Sequence, residues 1–453
     1  MTNSLIYIAI IAGMLLLPSI WRLTLAVWGS VFQFYTIPVF GFYPSLALLS
    51  TLSLSPKVVL LKRTLTQLPV ALLIILMALQ ALSLLWSSDS HLGIATILYE
   101  MPFLILYVIA FNVAMIDPRK LCNILKVYAV LSLVPLAAII IFSLWHELDP
   151  AFLKSSLAKL VINPNSLTRY LSLPGHDQWS GKPNGFFTNQ NVGGAYLGIC
   201  ALLLWGAGTY LRTNWMKMIA VLHWGTLFFT LSFAASILAI ILPITIISTF
   251  LFLKNKPLLS IKIYLRLAGF FISSVLIGVI IFLKKPLILG YAIQKFKSRL
   301  IFWKVAANFL PHHFLLGLGF GGWAIAYKKF SALPFPPIPI SYLKLLEPNL
   351  PPHNSLLMLW AESGILASLV GLLFMMSLIG CCWKALRLIS DPRTTLFALC
   401  VSASIAWVLL QGMAENWGVI GEMHIQPILA VSFGLMMGLC EQKKQAEVIP
   451  HSP

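Results

Sequence analysis

The chain has 453 residues and a formal net charge of +18, is 59% apolar, and has only 10% charged residues. Soluble domains carry roughly 25% charged residues, so this composition excludes an ordinary soluble fold and makes lipid the main solvent. Apolar runs of about 18 residues or more then read as membrane spans, because about 20 residues at a 1.5 Å rise cross the hydrocarbon core.

In chain order such runs fall at 4–21, 24–54, 68–86, 92–116, 121–145, 191–211, 216–234, 236–253, 267–283, 354–383, 394–414 and 424–440. Taken one span to a run, they predict an all-α polytopic membrane protein with about 12 transmembrane helices. The first run has no Lys or Arg before it and no small-residue cleavage site, so a retained span is expected rather than a removed leader. The second run is long and contains Pro38 and Pro44, which leaves room for an extra half-helix. Cysteines 122, 200, 381, 382, 400 and 440 all lie in apolar runs or at their edges, so no disulfide framework is expected.

Orientation follows from cations in short loops. Lys57, Lys62 and Arg63 mark one side, and the same side recurs at Arg119/Lys120, Arg212/Lys217, Lys254/Lys256/Lys262/Arg266, Lys384/Arg387/Arg393 and Lys443/Lys444. Arg22, between the first two runs, is the exception. Both termini are therefore expected on the cytoplasmic side. The chain divides into N-terminal helices (1–145), an outer loop (146–190), central helices (191–283), a large basic outer loop (284–353), and C-terminal helices with a short tail (354–453).

The basic loop carries Lys284, Lys285, Lys295, Lys297, Arg299, Lys304, Lys328, Lys329 and Lys344 against Glu347. A loop of about 70 residues is long enough to escape the orientation rule. Two uses fit the excess: binding anionic lipid headgroups, or steering a phosphate-bearing substrate. Apolar positions 300, 301, 303, 305 and 309 have amphipathic helical spacing, which suits an interfacial helix. The stretch "LPFPPIPI" at 333–340 cannot hold a regular helix and reads as an extended cover. "GLGFGG" at 317–322 lacks the strand that a dinucleotide loop needs, so its glycines are expected to serve close packing of a turn.

His353 stands directly before the run at 354–383, with Asn354 or Ser355 placed to cap that helix. A ring at a helix N-terminus is disfavoured as the cation and so suits a proton acceptor. Glu362 follows by nine residues; on a continuous helix it would face the other way and lie about 13 Å deeper, so it must find a partner on a neighbouring helix or stay protonated. His312 and His313 rival His353, although adjacent histidines beside a proline suit a turn, and no metal set accompanies them. Glu415 and Glu422, in the last short outer loop, are candidates for orienting an acceptor sugar.

Three stretches carry a resemblance: "NGFFTNQNVGGAYL" (184–197), "SRLIFWKVAANFLPHHFLLGLGFGGW" (298–323) and "HNSLLMLWAESG" (353–364). They resemble the bacterial O-antigen ligase and polymerase family, with its GT-C-like architecture, over roughly residues 184–440. The resemblance implies metal- and cofactor-independent glycosyl transfer at the periplasmic face of a bacterial inner membrane. An undecaprenyl-diphosphate-linked glycan would pass to lipid A–core in a ligase, or to a growing glycan in a polymerase. No nucleic-acid partner is implied. Carried over by position, Arg299 would hold the diphosphate and His353 would act as general base. Lys297, Lys304, Arg169, Lys182, Asn191 and Asn354 would bind substrate.

One departure stands out. The family carries a second arginine near the outer turn after the Asn motif, whereas this chain reads "TLSFAASILAI", with Ala234 and Ala235 and no cation. Arg169, Lys182 or Lys297 would have to replace it. A different class, a twelve-span secondary transporter, would want coupling charges at mid-membrane and two matching halves. Glu100, Lys126 and Glu362 are the main candidate buried charges, and the two halves show no repeat.

Overall fold

The computed structural model describes residues 9–10, 12–35, 38, 42–54, 64–171, 185–187, 189–254, 299–300, 303, 306–307, 310–330, 352–415 and 417–448. Every regular element among them is helical. The N-terminal part has α1 (Ser19–Phe32), α2 (Leu46–Leu52), α3 (Leu68–Ser83), α4 (Ser90–Ile116), α5 (Pro118–Leu131) and α6 (Leu133–Leu144). Three short helices follow: α7 (Leu148–Leu153), α8 (Ser156–Val161) and α9 (Pro164–Leu171). The central part has α10 (Gln190–Tyr210), α11 (Asn214–Leu227) and α12 (Phe233–Lys254). The C-terminal part has α13 (Trp323–Phe330), α14 (Ser355–Leu388), α15 (Pro392–Gly412) and α16 (Gln426–Val448).

Six described segments are long and apolar enough to cross a membrane: Leu68–Trp86, Ser90–Ile116, Pro118–Leu144, Gln190–Tyr210, Ser355–Leu388 and Pro392–Gly412. The chain is thus an all-α protein with membrane-spanning character. The predicted run at 267–283 lies outside the described residues.

Burial separates centre from periphery. The apolar windows of α10 and α15 are 89% and 83% buried, against 33% for the segment beginning with α3. Lipid is as apolar as leucine, so helices in a membrane associate through close backbone approach and small residues. In α10, Gly198 takes the Trp407 ring of α15 against its backbone. Gly434 and Gly438 of α16, four apart and on one face, meet Ala110 and Ala114 of α4 in the same way.

The sequence run 24–54 is not one span. It folds into α1 and the shorter α2, lying side by side and antiparallel, with Tyr35 and Ser45 bridged at one end. At the other end the Arg22 guanidinium donates to the Ser53 carbonyl. Pro38 and Pro44 lie between the two helices, where their missing N–H donors favour a break.

The run 354–383 is also broken. Gly364 has φ 81° and ψ 173°, a conformation open only to glycine. The arm 355–363 folds back along the arm that follows: Ser368 Oγ donates to the Leu356 carbonyl at 3.1 Å. Twelve residues in a straight helix would hold those groups about 18 Å apart. This corrects the expectation of a continuous helix, and with it the depth and facing inferred for Glu362.

A glycine turn locks the break in place. Gly317, Gly319 and Gly321 have φ 70°, 87° and 86°. A Cβ on Gly317 would lie 2.6 Å from the Glu362 carbonyl oxygen, and one on Gly321 2.5 Å from that of Asp89. The glycines of "GLGFGG" are therefore spent on backbone packing against α14 and the α3–α4 turn.

Candidate functional site

The residues that position the site come from four elements. Asn354 caps α14 through its side-chain oxygen, which accepts from Leu356 N at 3.1 Å and Leu357 N at 3.0 Å. Its amide donates to the Met413 carbonyl at 3.3 Å. Ser355 Oγ lies 2.9 Å from the Gly412 carbonyl and 2.8 Å from that of Gly418. The loop after α15 is thereby tied to the start of α14. Ala306 packs with Trp323 and with Ala361 of the 355–363 arm in a small apolar cluster.

At the junction lies Glu415, its side chain 4% exposed. Oε1 accepts from Asn191 Nδ2 at 2.8 Å and pairs with Arg299 Nη2. Arg299 Nε donates in addition to the Ala414 carbonyl at 2.7 Å. On the other carboxylate oxygen, Oε2 stands 3.4 Å from His353 Nδ1. A buried carboxylate is costly unless charge-assisted donors compensate it, and here a guanidinium and an amide do so. Arg299 and His353 are 17% and 21% exposed, so the acid forms the floor and the two basic groups form the lip.

The floor is braced from beneath. Asn191 Oδ1 accepts from Ser232 Oγ at 2.9 Å, and its carbonyl accepts from Gln411 Nε2 at 3.1 Å. Gln411 is held in turn by the Trp407 indole at 2.7 Å. His353 itself has φ 48°, in the left-handed region where a residue with a Cβ costs about 1–3 kcal/mol. The contacts of its neighbours Asn354 and Ser355 fix that conformation and turn Nδ1 toward the acid.

Of the residues singled out in the sequence, Arg299, His353, Asn191 and Asn354 come together here. Arg169 lies on α9, its side chain outside the described set, and Lys182, Lys297 and Lys304 lie outside the described residues. Glu415, read in the sequence only as a sugar-orienting candidate, proves to be the shared partner of three of them. The sequence signal was faint: one of two acids in a short loop free of cations, in a chain with 13 acids in all.

At the turn before α12, where the sequence has no cation, Ala235 is fully buried, and a Cβ on Gly194 would lie 2.8 Å from its methyl group. The α10–α12 contact has no room there for a longer side chain. Glu362 finds its partner at the start of a neighbouring helix: Oε1 accepts from Trp323 N at 3.2 Å, at the positive end of α13, just after the glycine turn. Glu422 pairs with His424 Nδ1 at 2.9 Å, apart from the Glu415 set. Among the described residues, no group of three or more His, Cys, Asp or Glu is placed to hold a metal ion. No protein-family model matches the chain, and no curated protein is significantly similar to it.

Proposed function

We propose that this protein is a membrane glycosyltransferase that passes a glycan from undecaprenyl diphosphate to an acceptor hydroxyl at the periplasmic face of a bacterial inner membrane. The supporting observation is the convergence of Arg299 and His353 on Glu415. Guanidinium forks fit phosphate oxygens bidentately and keep their charge. In this reading Arg299 holds the donor diphosphate, and the remaining basic residues of loop 284–353 and anionic headgroups share the surrounding surface. Its bond to Glu415 is exchanged for phosphate when donor binds.

His353 Nε2 takes the proton of the acceptor hydroxyl as its oxygen bonds to the anomeric carbon. The carbon–oxygen bond to the diphosphate breaks with its electron pair on the phosphate, where Arg299 stabilises the growing charge. Glu415 keeps Nδ1 protonated and the ring in place. The chemistry is the same for an O-antigen ligase acting on lipid A–core and for a polymerase extending a carrier-linked glycan; the acceptor alone separates them, and the ligase is the first reading.

The test is transfer of a labelled undecaprenyl-diphosphate glycan by purified protein in detergent, offered lipid A–core or a second carrier-linked unit. Transfer lost in Arg299→Ala and His353→Ala supports the roles; activity surviving both refutes them. The preferred acceptor decides between ligase and polymerase.

A further inference from the structure

Three consecutive apolar residues stand outside the bundle in the middle of the basic loop. Phe314, Leu315 and Leu316 are 47%, 70% and 62% exposed. They continue a surface that includes Leu82 and Leu85 of the segment Leu68–Trp86 and Leu366 of α14, all more than half exposed on segments apolar enough to cross a membrane.

The backbone at this tip is bonded as if water were absent. The Phe314 carbonyl accepts from the Trp360 indole at 3.1 Å and from Ile365 N at 3.0 Å. The Leu316 carbonyl accepts from the Trp86 indole at 3.2 Å, and the His313 carbonyl from Gly317 N at 2.9 Å. Leu318 N donates to the Ala361 carbonyl at 2.8 Å. A turn in water has no need of two tryptophans for its carbonyls. A turn at the edge of hydrocarbon does, because an unpaired backbone group there costs several kcal/mol. Indoles are also the side chains that favour the boundary between headgroups and acyl chains.

We propose that the turn 314–316 is a membrane anchor inserted among the acyl chains of the leaflet at the site end of the bundle. The α3–α4 turn, the glycine turn and the break at Gly364 form one clasp, and its apolar tip enters lipid while its glycines grip the helices. Loop 284–353 is then not wholly aqueous. This inference stands on the membrane-spanning helices and does not need the glycosyl-transfer reading.

Site-directed spin labelling tests it in the full chain, reconstituted in vesicles of phosphatidylethanolamine and phosphatidylglycerol. Nitroxides go on Leu315→Cys, and separately on Leu316→Cys, with the unlabelled-site parent as control for the native cysteines. His91→Cys in the α3–α4 region gives an aqueous reference and Leu369→Cys a lipid-facing one. The expected result is relaxation by oxygen exceeding relaxation by a water-soluble nickel chelate at 315 and 316, as at 369. Nickel-dominated relaxation matching position 91 overturns the proposal. Access by neither reagent also overturns it, and would mean that protein, a second copy or another chain, covers the tip.

Discussion

Two glutamates are buried to the same degree, each 3–4% exposed, and the structure treats them in opposite ways. Glu362 is answered by backbone: the N–H of Trp323, presented by a turn whose glycines press on α14. Glu415 is answered by side chains, an arginine, an asparagine and a histidine, two of which reach the surface. A backbone donor cannot leave without unfolding its turn. A side-chain donor can swing to a ligand and return. The first arrangement fastens and the second is available for chemistry, so burial alone does not distinguish a functional acid from a structural one.

Five substitutions bear on this contrast. The largest effect is expected at the lip: Arg299→Ala or His353→Ala lowers transfer by about 10²–10⁴-fold, and Arg299→Ala also lowers the unfolding temperature in detergent because it leaves the buried Glu415 carboxylate without its cation. Next is Gly364→Val, which forces a Cβ into the Leu315 carbonyl at a backbone conformation reserved for glycine. A loss of about 3 kcal/mol or more is expected, read as a lower melting temperature and a smaller folded yield. Glu362→Leu removes the acceptor for Trp323 N and costs about 1–3 kcal/mol, while transfer per folded molecule stays near that of the parent. If Glu362→Leu abolishes transfer at unchanged stability, the contrast between the two acids fails. The smallest change is Ser368→Ala, about 1 kcal/mol, measured by thermal unfolding; it reports whether the 355–363 arm lies back along α14.

The legible parts of the sequence were those with local causes. Asn354 caps α14 as its position before an apolar run suggests, because a cap is a contact between neighbours in the chain. The glycines of 317–322 pack a turn, as expected where no strand precedes them. Pro38 and Pro44 marked where run 24–54 would break, although not that its two halves would run antiparallel. The break at Gly364 was invisible for a different reason. A single glycine inside an apolar helical pattern leaves the pattern intact, and periodicity does not record direction. The partners of Glu415 lie 116 residues away at Arg299 and 224 away at Asn191, beyond the reach of any local rule. Arg299 was picked out through resemblance and His353 already by its place before an apolar run, and only the folded chain places both on one carboxylate.

The central claim is that His353 and Glu415 act as one unit beside Arg299. It is tested most directly by the rate of glycan transfer from a labelled undecaprenyl-diphosphate donor, measured for His353→Ala, Glu415→Gln and the two combined. Groups that work together lose their function once, so the double variant should be little worse than His353→Ala alone, with a coupling of about tenfold or more. Losses that simply multiply would show that the ring and the carboxylate act independently, and would contradict the account.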